Sequence, residues 1–478
     1  MLLRHSFFYL LARGVPGLVS FFSIALYTRL LYPDEYGRYT MVVAGVGMAN
    51  AILFQWLRLG LLRYLPVYQE QRKEFLSSLS SGFIVLAALT GAAGLGLSFL
   101  WPDRSLQGLI LLGTALLWAQ AWFELNLELA RTQLSPQLYG KLMLAKALVA
   151  LAVGGTLAYC GLGAAGLLLG MLAGFFLPVL RTTRTEWSGV RWSSSDRAIF
   201  RRLLTYGLPL TAAFALDYVV SSSDRFILGW LAGAGVTGLY AVGYDLAKQS
   251  LLVPMMTVNL ASYPLAVRAL EQEGRGGAQR QLIQNTTVLF AIALPAAVGL
   301  SMLAPNITGV FLGAEYIQAA TSLIPWVTAA SLCAGIKAYY FDLSFQLGQR
   351  TVGQVWVLLV SALINVGLNI WWIPLFGFMG AAYATLVAYA VGMVISAYLG
   401  RRIFPLPFPG KEIAKIALSA TGMALALWPA LPYRGGMALV GQIGWGVLVY
   451  LALLLLLDAA GLRGKTVKLL KATRKAQC

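Results

Sequence analysis

Long apolar runs separated by short polar stretches fill almost the whole chain, and each run can cross a hydrocarbon core of about 30 Å as an α-helix. When the boundaries are read from charges, prolines and glycines, the pattern predicts about fourteen transmembrane helices. They are placed at roughly 6–30, 38–62, 77–100, 106–130, 142–160, 163–180, 203–231, 236–266, 281–304, 319–345, 352–374, 378–400, 412–430 and 437–458. The chain is therefore predicted to be an all-α polytopic membrane protein.

The composition supports a membrane protein. Of the 478 residues, 59% are hydrophobic and 11% are charged, which excludes an ordinary soluble domain or a disordered chain. A short basic head leads into the first apolar run, and no small-residue cleavage site lies near the end of that run, so we expect a retained first helix. The cysteines at 160, 333 and 478 are far apart and form no CxxC or Cys/His pattern, so we expect neither disulfides nor metal ligands.

Lys and Arg number 36 against 18 Asp and Glu, and they alternate in density between successive loops. If the N-terminus is cytoplasmic, that side collects most cations, including the linker 181–202 and the tail 463–475. The few cations on the opposite, outer side are Arg29, Arg38, Arg104 and Arg434. The positive-inside rule therefore predicts that both termini are cytoplasmic. Orientation and attraction to anionic lipid explain the positive charge, so no nucleic-acid partner is expected.

The chain also repeats itself. The segment 11–16 matches 204–209, and 37–39 matches 238–240. Further matches join Gln133-Leu134 to Gln346-Leu347 and the Gly-Ala-Ala at 163 to that at 380. We therefore predict two pseudo-symmetric six-helix lobes plus two C-terminal helices, related by an axis along the membrane normal. The boundaries are 1–202 for the N-lobe, 203–404 for the C-lobe and 405–478 for the last two helices and basic tail.

Two prolines occupy matching places in this repeat, Pro16 in the first helix and Pro209 in the seventh. Proline removes a backbone donor and bends its helix, so these residues are expected to make paired bends that line the cleft between the lobes and act as hinges. The alternative is an irregularity of packing with no role in gating.

The segment Arg29–Tyr39, RLLYPDEYGRY, resembles the first-loop signature of the polysaccharide flippases in the multidrug/oligosaccharidyl-lipid/polysaccharide exporter superfamily. Asp224-Arg225, followed by Gly238 and Tyr240, resembles its second-lobe counterpart. The resemblance implies alternating-access transport of an undecaprenyl-diphosphate-linked O-antigen or exopolysaccharide repeat unit to the outer leaflet of the bacterial cytoplasmic membrane. It also implies coupling to H⁺ or Na⁺ without a bound cofactor. A polysaccharide polymerase is an expected partner from pathway logic only.

A charge near the bilayer centre costs roughly 3 kcal/mol, so each one needs a partner or a watery cavity. Arg13 and Arg58 lie in the cytoplasmic third, and Lys248 and Lys337 lie near the middle of two second-lobe helices. We predict that these four cations bind the substrate diphosphate, since a guanidinium donates paired hydrogen bonds to phosphate. The alternative partners are internal: Glu124 or Glu128 for the arginines, and Asp245 and Asp342 for the lysines.

Three carboxylates are candidates for cation coupling: Asp217, Asp224 and Asp245. Intramembrane carboxylates bind Na⁺ or carry a proton. Asp217 has no cation beside it in the sequence, which favours it as the coupling residue. Asp224 adjoins Arg225, which favours a structural pair.

Other functions are less well supported by the sequence. A multidrug cation antiporter would share the architecture but prefers an acidic or aromatic cavity, and a lipid II flippase is a close alternative because its two extra helices form a lipid-tail groove. A membrane polymerase or ligase of lipid-linked sugars would be expected to have a large polar outer loop. No catalytic set, metal-binding cluster or ATP-binding loop is evident.

Overall fold

Helices make up nearly all of the chain that the computed structural model describes, which is residues 17–100, 104–133, 135–190 and 194–459. No strand occurs within these ranges. Arg13, Pro16 and the basic tail 463–475 lie outside the described residues. The helices are α1 Gly17–Leu30, α2 Pro33–Tyr64, α3 Arg72–Leu100, α4 Arg104–Thr132, α5 Pro136–Glu186, α6 Arg197–Leu231, α7 Ala234–Met302, α8 Ala304–Phe311, α9 Ala314–Leu347, α10 Val352–Phe376, α11 Phe378–Gly400, α12 Gly410–Ala430 and α13 Gly436–Leu456.

Within the described ranges, eleven of these helices are long and apolar enough to cross a membrane, all except α1 and α8. Two of them are long enough for two crossings each, because α5 has 51 residues and α7 has 69 whereas one crossing needs about 20. An all-α polytopic membrane protein is therefore confirmed, and the total of fourteen crossings stays a prediction.

Local sequence explains where the helices begin and break. Pro33 begins α2, where its missing N–H costs nothing, and acidic residues follow in the first turn beside the positive end of the helix dipole. In α5, Gly161 and Gly163 adopt φ of +87° and +53°, which glycine adopts most readily. The two halves of α5, Pro136–Leu157 and Gly163–Glu186, then pack closely on each other.

The loop predicted between 266 and 281 is largely helical instead. The structure extends α7 through this polar stretch to a break at Gly274, whose φ is +70°. Within the extension, Arg268 donates to Gln272 one turn further along the helix at 3.1 Å, which supports the helix. Across the break, Arg280 pairs with Glu273 at 2.7 Å. The apolar pattern predicted the helices on either side of this stretch but not the polar continuation between them.

The chain folds into two compact units. The first unit contains the described residues up to Ala241 together with Leu358–Ala381, and the second contains Val242–Val357 together with the described residues from Ala382 onward. The lobe boundaries at 202 and 404 stay a prediction.

Apolar side chains from α2, α3, α4 and the second half of α5 form the core of the first unit. Leu57, Leu79, Leu116 and Leu168 are fully buried in it. Because these helices pack tightly on one another, the charged side chains that they carry are held at fixed positions.

In the second unit, the helix pair α12–α13 packs on the second half of α7. Phe290, Ile416 and Tyr450 lie in one buried cluster, and the Tyr450 hydroxyl donates to the Ala291 carbonyl at 2.7 Å. A polar contact also fixes α13, since Asn306 Nδ2 donates to Gln442 Oε1 at 2.8 Å. The two C-terminal helices are thus an integral part of this unit.

The predicted signature segment includes a close helix crossing in the first unit. A Cβ added at Gly37 would lie 1.8 Å from the Ala234 carbonyl oxygen, and one at Gly238 would lie 2.0 Å from the Pro33 carbonyl oxygen. Only glycine allows α2 and α7 to approach this closely. The glycines shared by the two repeat segments therefore meet each other in space.

Candidate functional site

Charged and amide side chains meet between α2 and α4 inside the first unit. This α2–α4 cluster consists of Asn50, Gln55, Arg58, Glu124 and Glu128. A π-helical turn at Asn50–Phe54 interrupts α2 just before Arg58. Such turns change which side chains share a helix face and occur frequently at functional sites.

Arg58 is the centre of the cluster. Its Nη1 donates to Glu124 Oε2 at 2.7 Å and to Gln55 Oε1 at 3.0 Å, and its Nη2 lies 3.9 Å from Glu128 Oε2. Arg58, predicted to bind the substrate diphosphate, is therefore paired with Glu124, one of the two internal partners that the sequence offered as alternatives. Its Nε is buried and has no hydrogen-bond partner among the described residues, so the guanidinium retains an unused donor.

Glu124 has donors besides Arg58. Asn50 Nδ2 donates to its Oε2 at 2.8 Å, and Gln120 Nε2 donates to its Oε1 at 3.0 Å. A carboxylate with two amide donors tolerates the departure of a guanidinium better than one with none. Arg58 can therefore exchange Glu124 for another anion at reduced cost.

Lys146 is a cation inside the first unit that was not among the intramembrane charges predicted from the sequence. Its Nζ lies 4.3 Å from the centre of the Phe175 ring and 5.7 Å from that of Phe123, and Glu124 attracts it electrostatically. The sequence contained a signal for this buried cation, because Lys146 lies within the apolar first half of α5. Glu124 therefore interacts electrostatically with both Lys146 and Arg58.

Lys337 in the second unit is also paired. Its Nζ donates to Asp342 Oδ2 at 2.8 Å, and both side chains are buried. Ser396 and Gln354 donate to the same carboxylate. The pair begins in a π-helical turn, Lys337–Phe341. Lys337 is therefore paired with Asp342, the internal partner that the sequence offered as the alternative to the substrate. In this conformation the charge of Lys337 is already neutralised.

Lys248, the remaining predicted cation within the described ranges, is half-buried on α7 of the second unit. Its Nζ lies 5.1 Å from the centre of the Tyr244 ring. Asp245, one turn earlier, is also half-buried.

The predicted coupling carboxylates on α6 differ in environment. Asp217 is exposed, whereas Asp224 is fully buried. Asp224 accepts from the Arg225 backbone N–H at 2.8 Å and from the Tyr240 hydroxyl. Because Asp224 is buried and Asp217 is exposed, burial favours Asp224 as the cation-coupling carboxylate. The neighbouring residues in the sequence had favoured Asp217 instead.

Amide side chains from α10 join Asp224 through its neighbour Ser223. The Ser223 hydroxyl donates to Asn365 Oδ1 at 3.1 Å, and Asn369 Nδ2 donates to the same oxygen at 3.1 Å. Both asparagines are fully buried, and Asn369 Oδ1 has no hydrogen-bond partner among the described residues. We call Ser223, Asp224, Tyr240, Asn365 and Asn369 the Asp224 cluster. Its oxygen atoms are hard ligands of the kind that small cations prefer.

Pro209 lies inside α6, which runs unbroken from Arg197 to Leu231. Close by, Gly207 packs on Trp56, where an added Cβ would lie 2.6 Å from the Trp56 Cβ. The helix therefore packs tightly on Trp56 near Pro209. The hinge at Pro209 stays a prediction.

The helices and the charges within them define the class of protein: a polytopic membrane protein with the fold of known transporters. The fold is similar to that of the lipid II flippase MurJ in its inward closed conformation, with a TM-score of 0.78 and 15% identity over 94% of this chain and 98% of that one. It is also similar to an inward-facing multidrug resistance MATE transporter, with a TM-score of 0.60 and 12% identity over 85% and 98%.

Residues 26–321 match the model of the family described as polysaccharide biosynthesis protein, and the chain belongs to that family. Among its relatives, the probable flippase AglR of Haloferax volcanii is 24% identical over 44% of each chain. The amylovoran biosynthesis protein AmsL of Erwinia amylovora is 23% identical over 45% of this chain and 55% of its own. The chain thus spans about half the length of the curated relatives it matches, and the predicted resemblance to the polysaccharide flippase family is confirmed.

Proposed function

We propose that the protein is a flippase that moves a lipid-linked oligosaccharide across the membrane. The observation that carries this proposal is the α2–α4 cluster, a set of charged side chains held within apolar helices of a polysaccharide-biosynthesis family member. Charges inside a membrane span are costly and are usually retained for a function. Two relatives are named probable flippases, which supports the same activity here.

The group to be recognised is an anionic diphosphate joined to undecaprenol. We propose that Arg58 binds it by exchanging Glu124 for phosphate oxygens while Asn50 and Gln120 continue to donate to Glu124. Lys146 contributes positive charge, and Arg13 and Lys248 remain proposed ligands. An exchangeable ion pair suits transport because a substrate that is bound too tightly is not released.

We further propose that an H⁺ or Na⁺ gradient drives the cycle through the Asp224 cluster. A buried carboxylate and the unpartnered oxygen of Asn369 provide ligands for Na⁺ or a site for a proton. Asp224→Asn is expected to abolish the dependence of transport on the gradient, and Asp217→Asn is expected to preserve it. Unchanged cation dependence in Asp224→Asn, with transport intact, would remove Asp224 from the coupling site.

The in vivo test measures which leaflet holds the lipid-linked oligosaccharide in cells that lack the protein. An impermeant probe reads the glycan in intact spheroplasts and in lysed cells. We expect the glycan to accumulate on the cytoplasmic side and to return to the outer leaflet with the wild type. Arg58→Ala should fail to restore it, whereas the control Arg280→Gln, at a 71% exposed side chain, should restore it.

Normal outer-leaflet exposure without the protein, once a redundant flippase has been excluded, would contradict the proposal. The same cells then distinguish the alternatives. Loss of lipid II exposure would indicate a lipid II flippase, and sensitivity to organic cations would indicate a drug antiporter. Exposed but unpolymerised repeat units would indicate a polymerase or ligase. The glycan that accumulates would also separate an O-antigen unit from an exopolysaccharide unit.

A further inference from the structure

A half-open cavity of about 650 Å³ lies at one end of the first unit. It is formed where α2, α4 and the second half of α5 begin, and we call it the Arg104 pocket. Its charged or aromatic lining residues are Tyr32, Glu35, Arg38 and Arg104. The volume falls within the range of small-molecule sites. None of these residues belongs to the α2–α4 cluster.

The opposite end of the same unit contains the arginine-rich segment. There Arg72 pairs with Glu186 at 2.5 Å, and Arg202 donates to the Tyr68 hydroxyl at 2.7 Å. By the positive-inside rule, that end is predicted to be cytoplasmic, which makes the Arg104 pocket an outer-side feature. Outer loops are poor in cations, yet Arg38 and Arg104, two of the few outer-side cations, line this one cavity. Orientation alone does not explain their placement.

The two arginines differ in whether they form an ion pair within the described residues. Arg38 Nη2 pairs with Asp34 Oδ2 at 3.1 Å. Arg104 is exposed, and the described residues provide it with no ion pair or hydrogen bond. A guanidinium exposed in a cavity is suited to a carboxylate or phosphate, to which it donates two parallel hydrogen bonds.

The pocket also offers a hydrogen-bond acceptor and an aromatic ring. Glu35 Oε2 accepts from the Ala164 N–H at 2.7 Å, while its Oε1 lies 4.0 Å from Arg38, beyond hydrogen-bond distance. That oxygen can accept from a ligand hydroxyl. Tyr32 is 72% exposed, so its ring can cover the apolar face of a ligand. A ligand that uses all of these groups carries an anionic group, hydroxyl donors and an apolar face.

We propose that the Arg104 pocket binds an acidic sugar of the glycan after it reaches the outer side, a proposal that rests on the proposed flippase function. The sugar carboxylate binds Arg104, a hydroxyl donates to Glu35, and the ring stacks on Tyr32. A phosphodiester lipid headgroup would also satisfy Arg104. It offers no sugar ring to stack on Tyr32. The geometry therefore favours the sugar.

The test is a binding measurement on the purified full-length protein in phosphatidylcholine nanodiscs. Methyl β-D-glucuronide and methyl β-D-glucoside are matched probes that differ at one carbon, a carboxylate against a hydroxymethyl group. We expect saturation-transfer NMR to show binding of the glucuronide and much weaker binding of the glucoside. Arg104→Gln should weaken glucuronide binding by about tenfold, and Tyr32→Ala should weaken both sugars. The control Arg434→Gln, at an exposed outer-side arginine of the other unit, should have no effect.

Equal binding of the two sugars, or undiminished glucuronide binding by Arg104→Gln, would overturn the proposal. So would full displacement of the glucuronide by inorganic phosphate at the same concentration, which would show a general anion site. Competition by phosphatidylglycerol in the nanodisc would assign the pocket to a lipid headgroup instead. Because binding is measured without transport, failure here leaves the flippase proposal intact. Normal binding in a protein that does not flip its lipid would contradict only the flippase proposal.

Discussion

The buried charges described in each unit have internal partners, and these pairings explain how apolar helices tolerate them. Sequence reasoning found Arg58 and Lys337 because each interrupts an apolar run, and it kept Glu124 and Asp342 open as partners. It could not choose between a ligand and an ion pair, because π-helical turns beside both cations change which side chains face each other. Lys146 was not predicted as a buried cation, although it lies inside the predicted span 142–160.

A buried pair and an exposed pair of the second unit should differ in their contribution to stability. Lys337 and Asp342 are 7% and 2% exposed, whereas Lys415 and Glu412 are 37% and 28% exposed. Lys337→Met leaves a buried charge without its cation, so the free energy of unfolding should fall by about 3 kcal/mol. Lys415→Met should lower it by about 0.5 kcal/mol or less. Thermal unfolding in detergent measures both.

The double variant Lys337→Met, Asp342→Leu provides the control for this comparison. Removing both charges should recover part of the stability lost in Lys337→Met, because no unpaired carboxylate remains. Losses of equal size at Lys337 and Lys415 would show that the buried pair has no special structural role.

At the scale of helices, the hydrophobic pattern was sufficient to predict the long apolar helices of the described ranges. It placed a boundary between 160 and 163, where the structure has the left-handed Gly161 and Gly163. It could not show that the helix continues into the polar stretch after 266, because a water-exposed helix leaves no long apolar run. Nor could it show that Gly37 meets Gly238, since the repeat aligns these residues in sequence without indicating their contact in space.

The α2–α7 crossing should be the most sensitive glycine contact in the first unit. Gly238→Ala places a methyl group 2.0 Å from the Pro33 carbonyl oxygen, so the helices must separate. We expect the free energy of unfolding to fall by about 2 kcal/mol. Gly96→Ala is the matched control, because a Cβ there has nothing within 4 Å and alanine favours the helix by up to about 1 kcal/mol.

Unfolding of both variants in the same detergent gives the comparison. A Gly238→Ala protein as stable as the wild type would mean that the crossing is looser than its backbone distances indicate. In that case the shared glycines of the signature segment would need another explanation.

At the scale of the whole molecule, the charge distribution predicts its orientation. In a background with the cysteines at 160, 333 and 478 replaced by alanine, Arg434→Cys should react with an impermeant maleimide in intact cells. Ser188→Cys, an exposed position near the arginine-rich segment, should react only after lysis. The reverse pattern would invert the orientation and would place the Arg104 pocket on the cytoplasmic side.

The fold and the family could be predicted from the sequence, whereas the residues that form the binding sites could be predicted only in part. Span lengths and the segment Arg29–Tyr39 were sufficient for an all-helical member of a flippase family, because both are local patterns. The Arg104 pocket was not predicted, since its lining comes from three helix starts that are far apart in the sequence. Arg104 was recognised only as an orientation signal.

The central claim is tested most directly with the purified protein in liposomes that contain an undecaprenyl-diphosphate-linked oligosaccharide in both leaflets. A glycosidase too large to cross the bilayer reports the accessible glycan over time. The account predicts that the wild type exposes the inner-leaflet glycan when the cation gradient is applied, and that Arg58→Ala does so much more slowly although it is equally well folded. Inner-leaflet glycan that stays protected, with the protein folded and the gradient present, would contradict the account.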